Sequence, residues 1–153
     1  MGYQIFQWTS ARLQKGEEIL VERHFDAAPE RVFDAWINPK LASKWLFRSP
    51  ASTEKDFELD ARVGGSWKVS DENDPTAYAA IGKYLAIEPP HRLVFTFAMP
   101  QFSPEHDRVT VEIAAEDDGS VLKLIEEGLS PGEERPFKNG WNGMFDDLAA
   151  LLG

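Results

Sequence analysis

The sequence predicts an α+β protein in which one long C-terminal helix lies against the apolar face of an antiparallel sheet. Two observations support this prediction. Short segments in the middle of the chain alternate apolar and polar residues and are separated by Gly, Pro or Asp-Gly, as expected of antiparallel strands. The last segment carries bulky apolar residues at the spacing i, i+3, i+4, i+7, i+10 and i+11, which is one stripe of a helix. The stripe consists of Trp141, Met144, Phe145, Leu148, Leu151 and Leu152.

The N-terminal part of the chain predicts one strand and two short helices. Residues 17–27 alternate apolar and polar side chains, which indicates a strand with one buried face. Residues 28–39 carry a helical stripe with a proline in its first turn, and a second proline ends it. Residues 40–50 predict a second short helix that ends at Pro50. Residues 1–17 are an N-terminal extension or an edge strand.

Six further strands and the terminal helix complete a single domain over residues 1–153. Gly64-Gly65 marks a turn or bulge between the first two of these strands, and Asp118-Gly119 predicts a hairpin turn. The terminal helix is expected to begin near Pro136 and to end at Leu152. The strands are predicted within 55–71 (two strands) and at 77–88, 91–99, 107–116 and 120–127.

Composition and charge exclude several functional classes. A net charge of −10 repels phosphate backbones, so no nucleic-acid partner is expected. The chain has no cysteine, its three histidines lack metal-site spacing, and no phosphate-binding or dinucleotide-binding glycine motif occurs, so no cofactor or metal is expected. The N-terminus lacks a signal-peptide pattern, and the apolar runs are too short to insert into a membrane, which favours a cytoplasmic location.

Three segments carry a resemblance to a known family: AAPERVFDAWINPKLASKW, GKYLAIEPPHRLVFTF and GWNGMFDDLAALL. They resemble the activator of heat-shock-protein-90 ATPase homologue family, part of the START-related (SRPBCC) helix-grip superfamily. The resemblance covers residues 18–152 and implies a helix-grip, Bet v-like fold, with a curved antiparallel sheet around the C-terminal helix. It also implies a cavity between sheet and helix. Members of the superfamily bind hydrophobic molecules, act as cyclases or assist a chaperone.

The implied cavity defines a set of candidate ligand-binding residues, although plain core packing is the alternative for each apolar one. Leu122, Leu124 and Glu126 share one strand face, so Glu126 points inward if the leucines do. Family members commonly have a histidine near this position, where this chain has glutamate. Glu126 could bind a polar ligand group, act as a general base, or simply reach solvent or pair with a basic residue. By resemblance, Trp45 lies at the mouth of the cavity. The candidates are Trp45, Trp67, Phe95, Phe97, Leu122, Leu124, Glu126, Trp141, Met144, Phe145 and Leu148.

Three functions are consistent with the predicted fold and the implied cavity. The preferred one is non-catalytic binding of a small hydrophobic or amphipathic molecule in the cavity, because the aromatic content is high and no catalytic signature is visible. A cyclase or dehydratase could use the same cavity with Glu126 as its acid–base group. A module that stimulates a chaperone ATPase through its surface, with a role in the stress response, is the third. The sequence does not define the ligand or the oligomeric state.

Overall fold

The computed structural model describes residues 17–47, 56–70, 79–100, 103 and 105–153, so the predicted extension at 1–17 lies outside the described residues except for Glu17. Within these ranges the chain forms seven strands and three helices. The strands are β1 (Glu17–Phe25), β2 (Asp56–Leu59), β3 (Ser66–Ser70), β4 (Ala79–Glu88), β5 (Arg92–Phe97), β6 (Asp107–Glu116) and β7 (Gly119–Leu129). The helices are α1 (Pro29–Ile37), α2 (Pro39–Ala42) and α3 (Glu134–Leu152).

The strands form one antiparallel sheet in the order β1-β7-β6-β5-β4-β3-β2. The first strand thus pairs with the last one, and consecutive strands are neighbours from β2 to β7. Alternation buries one face: Val109, Val111 and Ile113 of β6 are buried, whereas Glu112 between them is exposed. The predicted α+β helix-grip fold is confirmed, with two short helices after the first strand and a long helix at the end.

The second short helix is shorter than the sequence predicts. It ends at Ala42, whereas the spacing predicts helix over residues 40–50. The hydroxyl of Ser43 bonds back to the carbonyl of Lys40 at 3.3 Å, and the chain continues in turns up to Phe47. Phe47 has a φ of 50°, which is incompatible with a continuing right-handed helix. The rest of the predicted segment, residues 48–50, lies outside the described residues.

The terminal helix begins slightly earlier than predicted, at Glu134. Pro136 falls in its first turn, where the missing N–H would have no intrahelical partner. Before the helix, the Glu133 carboxylate accepts a hydrogen bond from the backbone N–H of Ser130 at 2.7 Å. The predicted stripe is the buried face of the helix, and Trp141 and Leu148 within it have exposures of 2% and 0%.

Candidate functional site

A buried carboxyl group lies where β7 passes beneath α3. Glu126 has 0% exposure, as strand parity predicts for a residue that shares a face with Leu122 and Leu124. Its Oε1 accepts a hydrogen bond of 2.7 Å from the indole nitrogen of Trp141 on α3. Its Oε2 accepts no hydrogen bond from the part of the chain that the structure describes. A buried carboxylate oxygen that accepts no hydrogen bond favours the protonated form of the acid, whose O–H can donate to a neighbouring carboxylate.

Asp107 is the acidic neighbour of this carboxyl group. It starts β6 on the inner face, two residues before Val109, which is the register partner of Glu126. Burial raises the pKa of Glu126 well above its ordinary value, and a hydrogen bond from its protonated carboxyl group to Asp107, with the negative charges of Asp107 and Glu133, raises it further. The hydrogen bond from Trp141 lowers this pKa, but less than burial raises it.

A cavity of about 240 Å³ opens beside Asp107, between the ends of β5, β6 and β7 and the first turns of α3. We call it the Phe97–Phe137 cavity after the two rings in its wall, whose centroids are 6.5 Å apart in an edge-to-face arrangement. Its wall combines apolar side chains with acidic ones. The described lining residues are Phe97, Ala98, Met99, Ser103, Glu105, Asp107, Gly128, Ser130, Glu133 and Phe137.

Most of the predicted site residues lie elsewhere, in an aromatic cluster that occupies the space between sheet and helix. Phe47 stacks on Trp67 and Phe97 with centroid distances of 5.3 Å and 5.0 Å. Within the described residues, the hollow in this region measures only about 10 Å³, roughly the space of one water molecule. The cluster consists of Trp36, Trp45, Phe47, Trp67, Phe95, Phe97, Trp141 and Phe145.

The remaining candidates pack around this cluster. Trp45 has 0% exposure, and its indole donates a hydrogen bond of 3.0 Å to the carbonyl of Ala35, so it anchors the turns after α2 onto α1. Leu122, Leu124 and Leu148 are fully buried. Met144 is half-buried, and its sulfur accepts a bond from the backbone N–H of Phe47 at 3.1 Å. Phe97 is the predicted residue that belongs to both the cluster and the cavity.

Three residues of this region are not among those predicted from the sequence: Asp107, Phe137 and Phe47. Signals for the first two were present, because Asp107 has the parity of Val109 on its strand and Phe137 precedes Trp141 by one helical turn. No pattern pointed to Phe47, since its ring reaches the cluster through a left-handed backbone conformation.

A second hollow, about 700 Å³ and widely open, lies largely on the other face of the sheet. Lys68, Lys83 and Arg108 line it together with acidic residues, and Arg108 is held in a bidentate ion pair with Glu127 at 2.9 Å. In the described ranges, no cluster of three or more histidine or acidic residues could hold a metal ion. No described helix is long and apolar enough to cross a membrane.

Comparison with known proteins relates the chain to one family. The family model described as Activator of Hsp90 ATPase homolog 1-like protein matches residues 26–153. The solved structure of protein CV1439 from Chromobacterium violaceum is similar, with 30% identity, a TM-score of 0.76, and coverage of 88% of this chain and 96% of that one. No curated protein matches.

Two more distant structures share the fold alone. CalU16 from Micromonospora echinospora is 24% identical, with a TM-score of 0.68 and coverage of 89% of this chain and 76% of its own. DynU16, a protein in the dynemicin biosynthetic locus, is 18% identical, with a TM-score of 0.71 and coverage of 89% of this chain and 47% of its own.

Proposed function

The chain belongs to the family of Activator of Hsp90 ATPase homolog 1-like proteins, and we propose that it binds a small amphipathic molecule in the Phe97–Phe137 cavity without catalysing a reaction. The cavity itself is the observation that supports this proposal. Its volume of about 240 Å³ suits a molecule smaller than a typical drug, for which pockets begin near about 300 Å³. Its wall provides rings for an apolar body and several polar groups that can orient one end of the ligand.

In this conformation the aromatic cluster packs beside the proposed ligand site and does not contain it. A ligand between Trp67 and Phe95, or beside Trp141 where it packs on Trp36, would have to displace rings that are already in contact. The Phe97–Phe137 cavity requires no such movement, and Phe97 connects it to the cluster. Glu126, Trp141 and the neighbouring predicted residues therefore hold the inner side of the site in position.

Filling the cavity tests this proposal. Phe137→Trp adds volume to its wall, and Asn139→Trp adds the same ring to the exposed side of the same helix. Apolar and amphipathic probes should raise the melting temperature of the wild type and of Asn139→Trp through linkage, and should not raise that of Phe137→Trp. Native mass spectrometry of the purified protein should show a retained small molecule as added mass. Equal probe shifts in both variants would place the ligand elsewhere.

An enzyme that uses Glu126 as an acid–base group is the second candidate, supported by the raised pKa of this residue. Glu126 has no exposed surface, so a proton would pass between it and a ligand through Asp107, which lines the cavity. In this case Glu126→Gln should abolish turnover of a cyclisable or dehydratable substrate while probe binding persists. In a binding protein, no turnover exists to be lost.

The third candidate function, interaction with a chaperone, is supported by the family relationship. The large apolar side chains most exposed in the described residues are Leu20, Val63 and Leu85. Leu20 on β1 and Leu85 on β4 are separated by three intervening strands, so these two do not form one apolar patch. Stimulation of a chaperone ATPase that survives the Phe137→Trp substitution would favour a surface function over ligand binding.

A further inference from the structure

The ring of Phe47 lies in a flat stack with two rings of the sheet. Its interplanar angle is 8° with Trp67 and 14° with Phe97, at centroid distances of 5.3 Å and 5.0 Å. Trp67 and Phe97 are also nearly parallel to each other, with an interplanar angle of 6° and centroids 6.3 Å apart. Offset stacking of this kind is favourable for any aromatic ring. We call Trp67 and Phe97 the platform, and Phe47 is the ring that covers it.

The sheet holds the platform in place. The indole nitrogen of Trp67 donates a hydrogen bond of 3.1 Å to the carbonyl oxygen of Thr96 on β5. This bond passes β4 at Gly82, the register partner of Trp67, where a Cβ would lie 2.4 Å from the indole nitrogen. Glycine at this position therefore gives the indole room to lie across β4. Phe97 belongs to β5, so both rings of the platform are attached to paired strands.

Phe47 is attached to the protein in a different way. It follows the turns after α2, and its φ of 50° lies in the left-handed region, which is a strained conformation for a bulky side chain. Its backbone N–H donates to the thioether sulfur of Met144, which is a weak acceptor. A return of φ to negative values would release this strain and redirect the ring. The released strain offsets part of the stacking that is lost when the ring leaves the platform.

A buried donor without an acceptor lies in the same region. The indole nitrogen of Trp36 has no hydrogen-bond partner in the part of the chain that the structure describes, although Trp36 is only 2% exposed. Trp36, Phe47 and Trp67 line the same hollow of about 10 Å³. A buried donor that lacks an acceptor costs free energy. A ligand that brings an acceptor into this hollow therefore supplies a hydrogen bond that the unliganded protein lacks.

We propose that Phe47 is a displaceable cover, and that a planar aromatic molecule with a hydrogen-bond acceptor replaces its ring on the platform and accepts a bond from the Trp36 indole. One ring replaces another, so the ligand restores the stacking that Phe47 gives up. The apparent affinity is reduced only by the fraction of molecules in which the cover is open. This site differs from the Phe97–Phe137 cavity, which is open without any ring movement, and the inference therefore goes beyond the proposed function.

A label on the cover tests whether it moves. The probe is acetophenone, and 4-fluorophenylalanine is incorporated in place of Phe47. As acetophenone saturates the protein, the ¹⁹F resonance should move toward its position in the urea-unfolded protein. The same label in place of Phe25, which is 2% exposed and packs on Phe145, is the control and should not move. Saturable binding of acetophenone that leaves the resonance at position 47 unchanged would overturn the proposal.

Matched probes test the ligand class. Cyclohexyl methyl ketone keeps the acceptor without a planar ring, and ethylbenzene keeps the ring without an acceptor. The wild type should bind acetophenone about tenfold more tightly than either one. Equal binding of acetophenone and cyclohexyl methyl ketone would overturn the role of the platform. Trp36→Phe should abolish the preference over ethylbenzene; if this variant does not fold, the ratio of the two affinities in the wild type tests the same bond, and equal affinities would overturn the role of Trp36.

Two variants separate this site from the Phe97–Phe137 cavity. Phe47→Gly removes the cover and accepts a positive φ, so it should bind acetophenone at least about tenfold more tightly than the wild type. Phe137→Trp, which fills the other cavity, should leave acetophenone affinity unchanged. Binding by Phe47→Gly without any binding by the wild type would show that Phe47 is a permanent part of the core and would overturn the proposal. That result would leave the Phe97–Phe137 cavity untouched as a ligand site.

Discussion

Glu126→Gln separates the charge of the buried acid from its hydrogen bond. Glutamine keeps the size of the side chain and an oxygen that can accept the bond from the Trp141 indole. The substitution removes the ability to ionise. Burial, followed by the influence of Asp107, raises the pKa of Glu126 above its ordinary value of 4.5, so the folded protein retains this proton to a higher pH than the unfolded chain does.

The sign and slope of the pH dependence of stability follow from counting the protons bound by the folded and unfolded states. Between pH 4.5 and the raised pKa, the folded state binds more protons at Glu126 than the unfolded state, so wild-type stability falls as pH rises. The free energy of unfolding of the wild type should fall relative to that of Glu126→Gln by at most about 1.4 kcal/mol per pH unit in this window. The difference should be constant below pH 4.5, where the acid is protonated in both states, and again above the raised pKa.

Urea unfolding from about pH 4 to about pH 8 measures this difference. Glu112→Gln, on the exposed face of β6, serves as the charge control and should run parallel to the wild type. Asp107→Asn should reduce the pH range over which the two free energies of unfolding diverge. It should not abolish the divergence, because burial still raises the pKa of Glu126. A difference between wild type and Glu126→Gln that does not change with pH would refute the assignment of a raised pKa to Glu126.

Three other substitutions test the packing that positions the site. Leu148→Ala should lower the free energy of unfolding by about 2–5 kcal/mol in denaturant melts, because the side chain is fully buried against the sheet; an unchanged midpoint would mean that α3 does not dock as described. A double-mutant cycle on Arg108 and Glu127 should give a coupling of about 1 kcal/mol, since their bidentate pair is partly exposed, and zero coupling would contradict the geometry. Gly82→Ala should lower the free energy of unfolding by about 3 kcal/mol or more, because its Cβ would lie 1.7 Å from the Thr96 carbonyl oxygen. Gly140→Ala, whose Cβ would have nothing within 4 Å, should stabilise α3 by about 0.5–1 kcal/mol. Similar effects of both substitutions in denaturant melts would refute the close contact at Gly82.

The fold could be predicted because its elements carry local signals. Alternation identified the strands, and helical spacing identified α3 together with its buried face. The length of α2 could not be predicted, because residues 43–47 have helix-compatible composition and the turn depends on the Ser43 bond and the conformation of Phe47. Tertiary packing, rather than local propensity, determines where this helix stops.

The site was predicted only in part, for a related reason. Strand parity places Glu126 inside, and the same parity places Asp107 on the inner face of β6. Their closeness depends on the pairing of Val109 with Glu126, which requires knowledge of the register between β6 and β7. The volume left between sheet and helix is set by how large rings stack. Phe47 fills that space from a segment whose pattern does not mark it as core.

The requirements of the fold do not explain why position 126 carries an acid. Glutamine would accept the same bond from Trp141 and would avoid the cost of ionising a group with no exposure. Leucine would match the buried side chains at 122 and 124, at the cost of leaving the indole N–H without its acceptor. What glutamic acid adds is a proton that it can lose when the charge at Asp107 is offset. The pH-dependent unfolding of Glu126→Gln therefore examines ionisation, the one property that distinguishes glutamate from glutamine at this buried position.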